Sequence, residues 1–160
     1  RAESMRIIRL NLLVMLVVLL FGGHYLSAQE KGNITYEKDI QPLLSKNCLS
    51  CHGSDSPTIT EFKKDTKGFI KKNKGPRMDT YENLMIFIKG SDTGALMRRL
   101  DDGKNTKDGK PGNMYKYLGD SGEERSANLS VIKKWVGGWT LKRRAEITEE
   151  ELKAIEAPEK

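Results

Sequence analysis

Between residues 34 and 140 the large apolar side chains fall at helical intervals, and no run alternates with the period of a strand. "ITYEKDIQPLLSKNC", residues 34–48, reads as a turn leading into a helix. Pro42 fits that helix's first turn, where a missing N–H does no harm, and Leu43, Leu44 and Cys48 share a face. Residues 53–57 form a loop. Residues 58–77 are lysine-rich and weakly patterned, with Phe62, Phe69 and Ile70 as the expected core contacts. "DTYENLMIFIK", residues 79–89, predicts a helix capped by Asp79 with Glu82 three residues on. Leu84, Phe87 and Ile88 make its buried side, and Gly90 stops it. Residues 92–100 predict a shorter helix carrying Leu96 and Leu100. Residues 101–124 are glycine-rich and unpatterned, and so read as a long loop of the functional or disordered kind. Residues 124–139 predict a helix with Leu129, Ile132, Trp135 and Val136 at helical spacing. The expected fold class is all-α.

Both ends of the chain depart from this pattern. Arg6 and Arg9 precede an apolar run, Leu10 to Phe21, broken only by Asn11. "YLSA", residues 25–28, then supplies small residues before a cut after Ala28. That order predicts a secretory signal over residues 1–28. A retained anchor is the alternative, though the run is short of the roughly 20 apolar residues that span a bilayer. At the other end, residues 141–160 read as a charged C-terminal extension. Lys142, Arg143 and Arg144 precede a capping box, Thr148 to Glu151, that opens a helix running to about Ile155. The extension is expected to be either a solvated appendage or a docking element for a partner, with Leu152 and Ile155 its only large apolar residues.

Charge narrows the function classes. The formal net charge is +6, and +4 without Arg1, Arg6, Arg9 and Glu3. No aromatic residues interleave the basic ones as on a nucleic-acid surface, so nucleic acid is not an expected partner. A mildly basic protein suits acidic patches on partner proteins. The lysines at 63, 64, 67, 71, 72 and 74 read as a solvated face.

The chemistry lies in "NCLSCHGSDSP", residues 47–57, which holds both cysteines of the chain and one of its two histidines. A disulfide between Cys48 and Cys51 would close only a tiny loop and constrain little of the unfolded chain. A thioredoxin-like pair expects a β-α-β context, which is absent. A structural zinc site needs four ligands, and residues 29–160 offer two cysteines and one histidine. Cys-x-x-Cys-His is the attachment signature of a c-type haem. Residues three apart on a helical turn are neighbours, so both thiols reach vinyl groups at one edge of the macrocycle. His52 then becomes the proximal ligand of the iron.

The only other histidine, His24, lies in the signal. A bis-histidine site is therefore unavailable to residues 29–160, and the sixth position falls to a methionine or a less usual donor, or stays open. Met78, Met85, Met97 and Met114 are the choices there. Met85 and Met97 have core explanations among their apolar neighbours. Met78 leads straight into a capped helix. Met114, in "KPGNMYKYLG", sits on the long loop with no core role, and is the expected distal ligand, with Met78 behind it.

With these motifs the chain resembles single-haem class I c-type cytochromes over roughly residues 34–140. "YEKDIQPLLSKNCLSCHG", "KGSDTGALMRRL", "GNMYKYLG" and "LSVIKKWVGGW" are similar to that family's successive elements. The resemblance implies a small helical domain over residues 29–140, wrapped around one covalent haem c. It implies haem contacts at Cys48, Cys51, His52 and Met114, with His52 and Met114 on the iron, and an aromatic packing role for Trp135. Tyr115 stands where members often have proline, and residues 141–160 run past the usual end. The implied function is one-electron transfer between redox partners in the periplasm or otherwise outside the cytoplasmic membrane, without catalysis. The rivals are a haem-bearing subunit of a larger complex and a haem enzyme or gas sensor with a labile sixth ligand. A peroxidase would want a distal histidine, which residues 29–160 lack.

Overall fold

Thr35 starts the first helical segment by accepting the Lys38 N–H at 3.3 Å, and its own N–H donates to Asp39 Oδ2 at 2.9 Å. In the computed structural model, which describes residues 33–160, a π-helical turn, Tyr36–Ile40, runs directly into α1, Gln41–Asn47. Pro42 lies in the first turn of α1, as its chemistry requires. Tyr36, Ile40 and Leu44, four residues apart, form one buried stripe. The expected signal segment lies outside the described residues.

Three further helices close the core. α5, Tyr81–Ile88, buries Leu84, Phe87 and Ile88. α6, Ala95–Leu100, buries Leu96, Met97 and Leu100. α7, Gly122–Val136, buries Leu129, Ile132, Trp135 and Val136, the spacing read from the sequence. Ser121 caps α7 by accepting the Glu124 N–H at 3.0 Å. Glu123 and Glu124 in its first turn and Lys133 and Lys134 in its last complement the helix dipole. The Tyr36 ring meets Trp135 at 6.3 Å and Tyr81, edge-on, at 5.4 Å, so the start of the fold, α5 and α7 share one aromatic cluster. The described residues form no sheet; their one isolated bridge joins Gly137 to Ile155. None of their helices is long and apolar enough to cross a membrane.

Several expectations are corrected. The cap of α5 is Thr80, not Asp79: the Thr80 hydroxyl accepts the Asn83 N–H at 3.2 Å, while Asp79 accepts from the Asn83 side chain. Residues 58–77, too weakly patterned to predict an element, contain α3, Ile59–Lys64, and α4, Thr66–Lys71. Neither helix buries a residue. Ile70, expected in the core, is 60% exposed but lines the central cavity together with Ile59 and Phe62, and Phe62 and Phe69 stack on one another at 6.2 Å. The apolar positions Ile59, Phe62 and Ile70 of these short helices thus face the cavity, while their lysines stay exposed.

The long loop is ordered by one buried carboxylate, Asp101. Its Oδ1 accepts the N–H groups of Gly103 at 2.8 Å and Asn105 at 3.3 Å, and its Oδ2 accepts from the Asn105 side chain at 2.8 Å. Lys133 Nζ stands 3.9 Å away. The Asp101 carbonyl accepts the Gly112 N–H at 2.8 Å, which closes the loop on itself.

The boundary expected at residue 140 has no counterpart in the structure. Residues 33–160 form one unit, and the tail is built into it. Its capping box forms, with Thr148 N–H on Glu151 Oε2 at 2.9 Å and Glu151 N–H on Thr148 Oγ1 at 3.2 Å, and opens α8, Glu149–Lys153. Ile147, Ile155 and Ala157 are buried in the common core. The Trp135 indole donates to the Pro158 carbonyl at 2.8 Å, the Tyr81 hydroxyl to Ala157 at 2.9 Å and Lys89 Nζ to Ile155 at 2.9 Å. The Tyr36 and Glu37 N–H groups donate to Pro158 and Glu159. The tail thus supplies acceptors that α5, α7 and the first turn need once buried. Replacing Ile155, 2% exposed, by alanine should destabilise the whole domain by about 2–4 kcal/mol, read as a lower urea midpoint with an unchanged slope. An appendage would give no change.

Candidate functional site

The attachment turn begins where α1 breaks. Cys48 leaves helical geometry, with φ −126°, while its N–H still donates to Leu44 O at 2.7 Å. α2, Leu49–His52, follows at once. The Cys48 carbonyl accepts the N–H groups of both Cys51 and His52, at 3.1 and 3.0 Å. Two thiols and the imidazole thus sit on one tight turn.

Residues 72–78 fold back to fix that turn. Gly75 N–H donates to Cys51 O at 2.8 Å and Met78 N–H to His52 O at 2.9 Å. The buried Ser56 hydroxyl donates to Cys51 O at 3.0 Å. The central contact is between His52 Nδ1 and the Pro76 carbonyl, 2.6 Å apart. A carbonyl only accepts, so Nδ1 carries the proton and Nε2 presents its lone pair. A metal-bound histidine is oriented by just such a bond from its other nitrogen. Gly75 makes it possible: a Cβ there would overlap the imidazole ring.

Burial sets the protonation of Cys48 and His52. It pushes the Cys48 thiol up to about 11, with Cys51 adding to the effect. It pushes the His52 imidazole below its ordinary value, against the opposing pull of the Pro76 bond. Cys48 therefore stays a neutral thiol near pH 7, and the cysteines are unbridged. His52 is held as the neutral base that coordinates a metal.

All three side chains line one cavity of about 820 Å³, whose walls include Leu44, Leu96, Leu100 and Leu118. A largely apolar cavity of this size, with reactive groups grouped on one turn, suits a large flat apolar cofactor. The residues fit a haem: thiols for the covalent bonds, an oriented imidazole for the iron and apolar walls for the ring.

The methionines divide into two pairs. Met97 is buried and Met85 half-buried, and neither reaches the cavity. Met78 and Met114 both line it. Met78 is bonded through its backbone to His52 itself, whereas Met114 comes from the long loop. The Met114 N–H donates to Arg99 O at 2.9 Å, and Asn113 Oδ1 accepts from Arg99 Nη1 at 3.1 Å. Gly112 lies so close to the Arg98 and Arg99 backbone that a Cβ would collide with it. Gly75, Pro76, Ser56 and Asp101 were not singled out from sequence. The "KGP" of residues 74–76 was the available signal for the first two.

Gly75→Ala is expected to push the imidazole off the Pro76 carbonyl. The haem-to-protein absorbance ratio of purified protein should fall severalfold, and the His52 Nδ1–H proton resonance should shift or vanish. An unchanged ratio and resonance would show that the contact is not needed.

Comparison with known proteins agrees with this geometry. The family described as PccH cytochrome c matches residues 35–158, a span that includes the tail. A solved structure, that of monoheme cytochrome PccH from Geobacter sulfurreducens, is 51% identical, covers 79% of this chain and 99% of its own, and superposes with a TM-score of 0.75. None of the curated proteins matches. A match that runs unbroken from the first helical turn through the attachment motif to Pro158 leaves one conclusion: the chain belongs to the PccH cytochrome c family and is an electron-carrying haem c protein.

Proposed function

We propose that this protein is an exported one-electron carrier whose single haem c is held by Cys48 and Cys51 and ligated by His52 and Met114. The observation that carries the reading is the His52–Pro76 contact beside two unbridged thiols in one apolar cavity. The haem supplies a one-electron iron couple when bound. The protein's part is to hold everything else still. Cys48 and Cys51 tether one edge of the ring. Pro76 keeps the His52 Nε2 lone pair aimed and its tautomer constant. Leu44, Leu96 and Leu118 exclude water, so little solvent reorganises when charge changes.

Met114 is favoured as the second ligand because its loop is latched to α6 through Arg99 rather than to His52. Met78, bonded to the His52 carbonyl, stands beside the proximal ligand instead. A thioether opposite a histidine raises the potential relative to more basic ligands. With both axial positions filled, no substrate site opens, which accords with transfer rather than catalysis. Export is supported by the pattern of residues 1–28.

Two measurements test this. Intact mass should show one added haem that survives acid acetone, and Cys51→Ala should leave little haem-loaded protein; freely extractable haem would sink covalent attachment. Met114→Ala should abolish the near-infrared band of methionine-bound ferric haem and lower the midpoint potential. Met78→Leu should preserve the band. The reverse outcome would move the ligand to Met78.

A further inference from the structure

Three guanidinium groups line the cavity that holds the attachment turn: Arg98 and Arg99 from α6, and Arg143 from the tail. None of the three forms an ion pair among the described residues. The carboxylates nearby are engaged elsewhere. Asp92 pairs with Lys63 at 2.7 Å and accepts from Ser91 at 2.9 Å. Glu146 accepts the backbone N–H of Arg143 at 2.7 Å.

Arg98 is held by the backbone. Its Nη1 donates to the carbonyls of Thr93 at 3.3 Å, Leu141 at 3.1 Å and Lys142 at 2.7 Å. Its Nε and Nη2 donors make no such bonds and remain to be used. Burial, followed by the charges of Arg143 and Arg99, presses its guanidinium below the ordinary value, so the three cations feel one another. Arginine cannot shed its proton to relieve this. Glu146 and Asp92 offset this in part through space, but neither pairs with a guanidinium, so the cluster still favours an incoming anion. A guanidinium's planar fork is suited to a carboxylate. The ring that fits this cavity is apolar apart from its iron and its two propionate carboxylates.

We propose that Arg98, Arg99 and Arg143 form a carboxylate site that receives the haem propionates, and that tail residues 141–143 build it. This rests on the haem reading above. The tail contributes one cation directly and fixes another through the Leu141 and Lys142 carbonyls. Positive charge beside the cofactor favours the state that holds the extra electron, so the site also raises the potential.

The test compares Arg98→Gln, Arg143→Gln and the double variant with Lys153→Gln, which removes an exposed cation of α8 outside the cavity. Midpoint potential is measured by spectroelectrochemistry on haem-loaded protein, alongside proton NMR contacts from the propionate methylenes. Both single variants should shift to lower potential than the parent and the lysine control, the double variant further, with the axial-ligand spectrum unchanged. In the parent, the propionate methylenes should show contacts to Arg98 or Arg143. If Arg98→Gln does not fold, Arg143→Gln decides, since the Arg143 side chain forms no ion pair that holds the protein together. Midpoints equal to that of the lysine control, or propionate contacts only to other residues, would overturn the proposal and leave electron transfer intact. That result also covers guanidiniums reserved for a partner's carboxylates, which would not move the isolated protein's midpoint. A parent lacking covalent haem would overturn both readings.

Discussion

The contact between His52 Nδ1 and the Pro76 carbonyl, 2.6 Å, is the interaction on which the rest of the site depends. It joins two segments 24 residues apart in the chain and chooses the imidazole's tautomer. Maintaining it requires a residue without a Cβ at 75 and a turn that brings residues 72–78 back over the attachment motif. The returning segment then bonds the Cys51 and His52 carbonyls, so these two acceptors are satisfied by the protein itself. The lysine-rich stretch between them, which looks unpatterned, is the connection that makes this return possible.

A second constraint comes from the opposite side of the cavity. The loop that brings Met114 to the cavity wall must hold its shape. Here Asp101 does this from inside, by accepting three hydrogen bonds from its own loop at complete burial. A buried carboxylate is tolerated because each bond is made and Lys133 stands near. The loop is then pinned to the end of α6 at Gly112, Asn113 and Met114. Gly103 and Gly112 of this loop mark places where backbone approaches backbone closely.

The tail joins these two halves. Its carbonyls accept from Trp135, Tyr81, Lys89 and the first helical turn, and other carbonyls of it hold Arg98 at the cavity. A segment that looks like an addition in sequence is thus part of the aromatic core on one side and of the cofactor cavity on the other. The family match, which continues to Pro158, agrees with that role.

The sequence by itself determined the covalent chemistry and the main helices. Cys-x-x-Cys-His is a local motif, and the bonds it makes depend on neighbours within one turn. The buried faces of α5, α6 and α7 were equally legible because helical periodicity is a local signal. Even the cap of α8 was readable, since a capping box spans four residues. Contacts distant in sequence had no such signal. Pro76 beneath His52, Asp101 within its loop, and the tail's carbonyls against Trp135 each pair residues whose nearness exists only after folding. Ile70 is an intermediate case: expected in the packed core, it stands instead on the wall of the cavity that holds the attachment turn. Tertiary structure alone decided these, because the burial of a group and the bond that satisfies it belong to the assembled core and to no single segment.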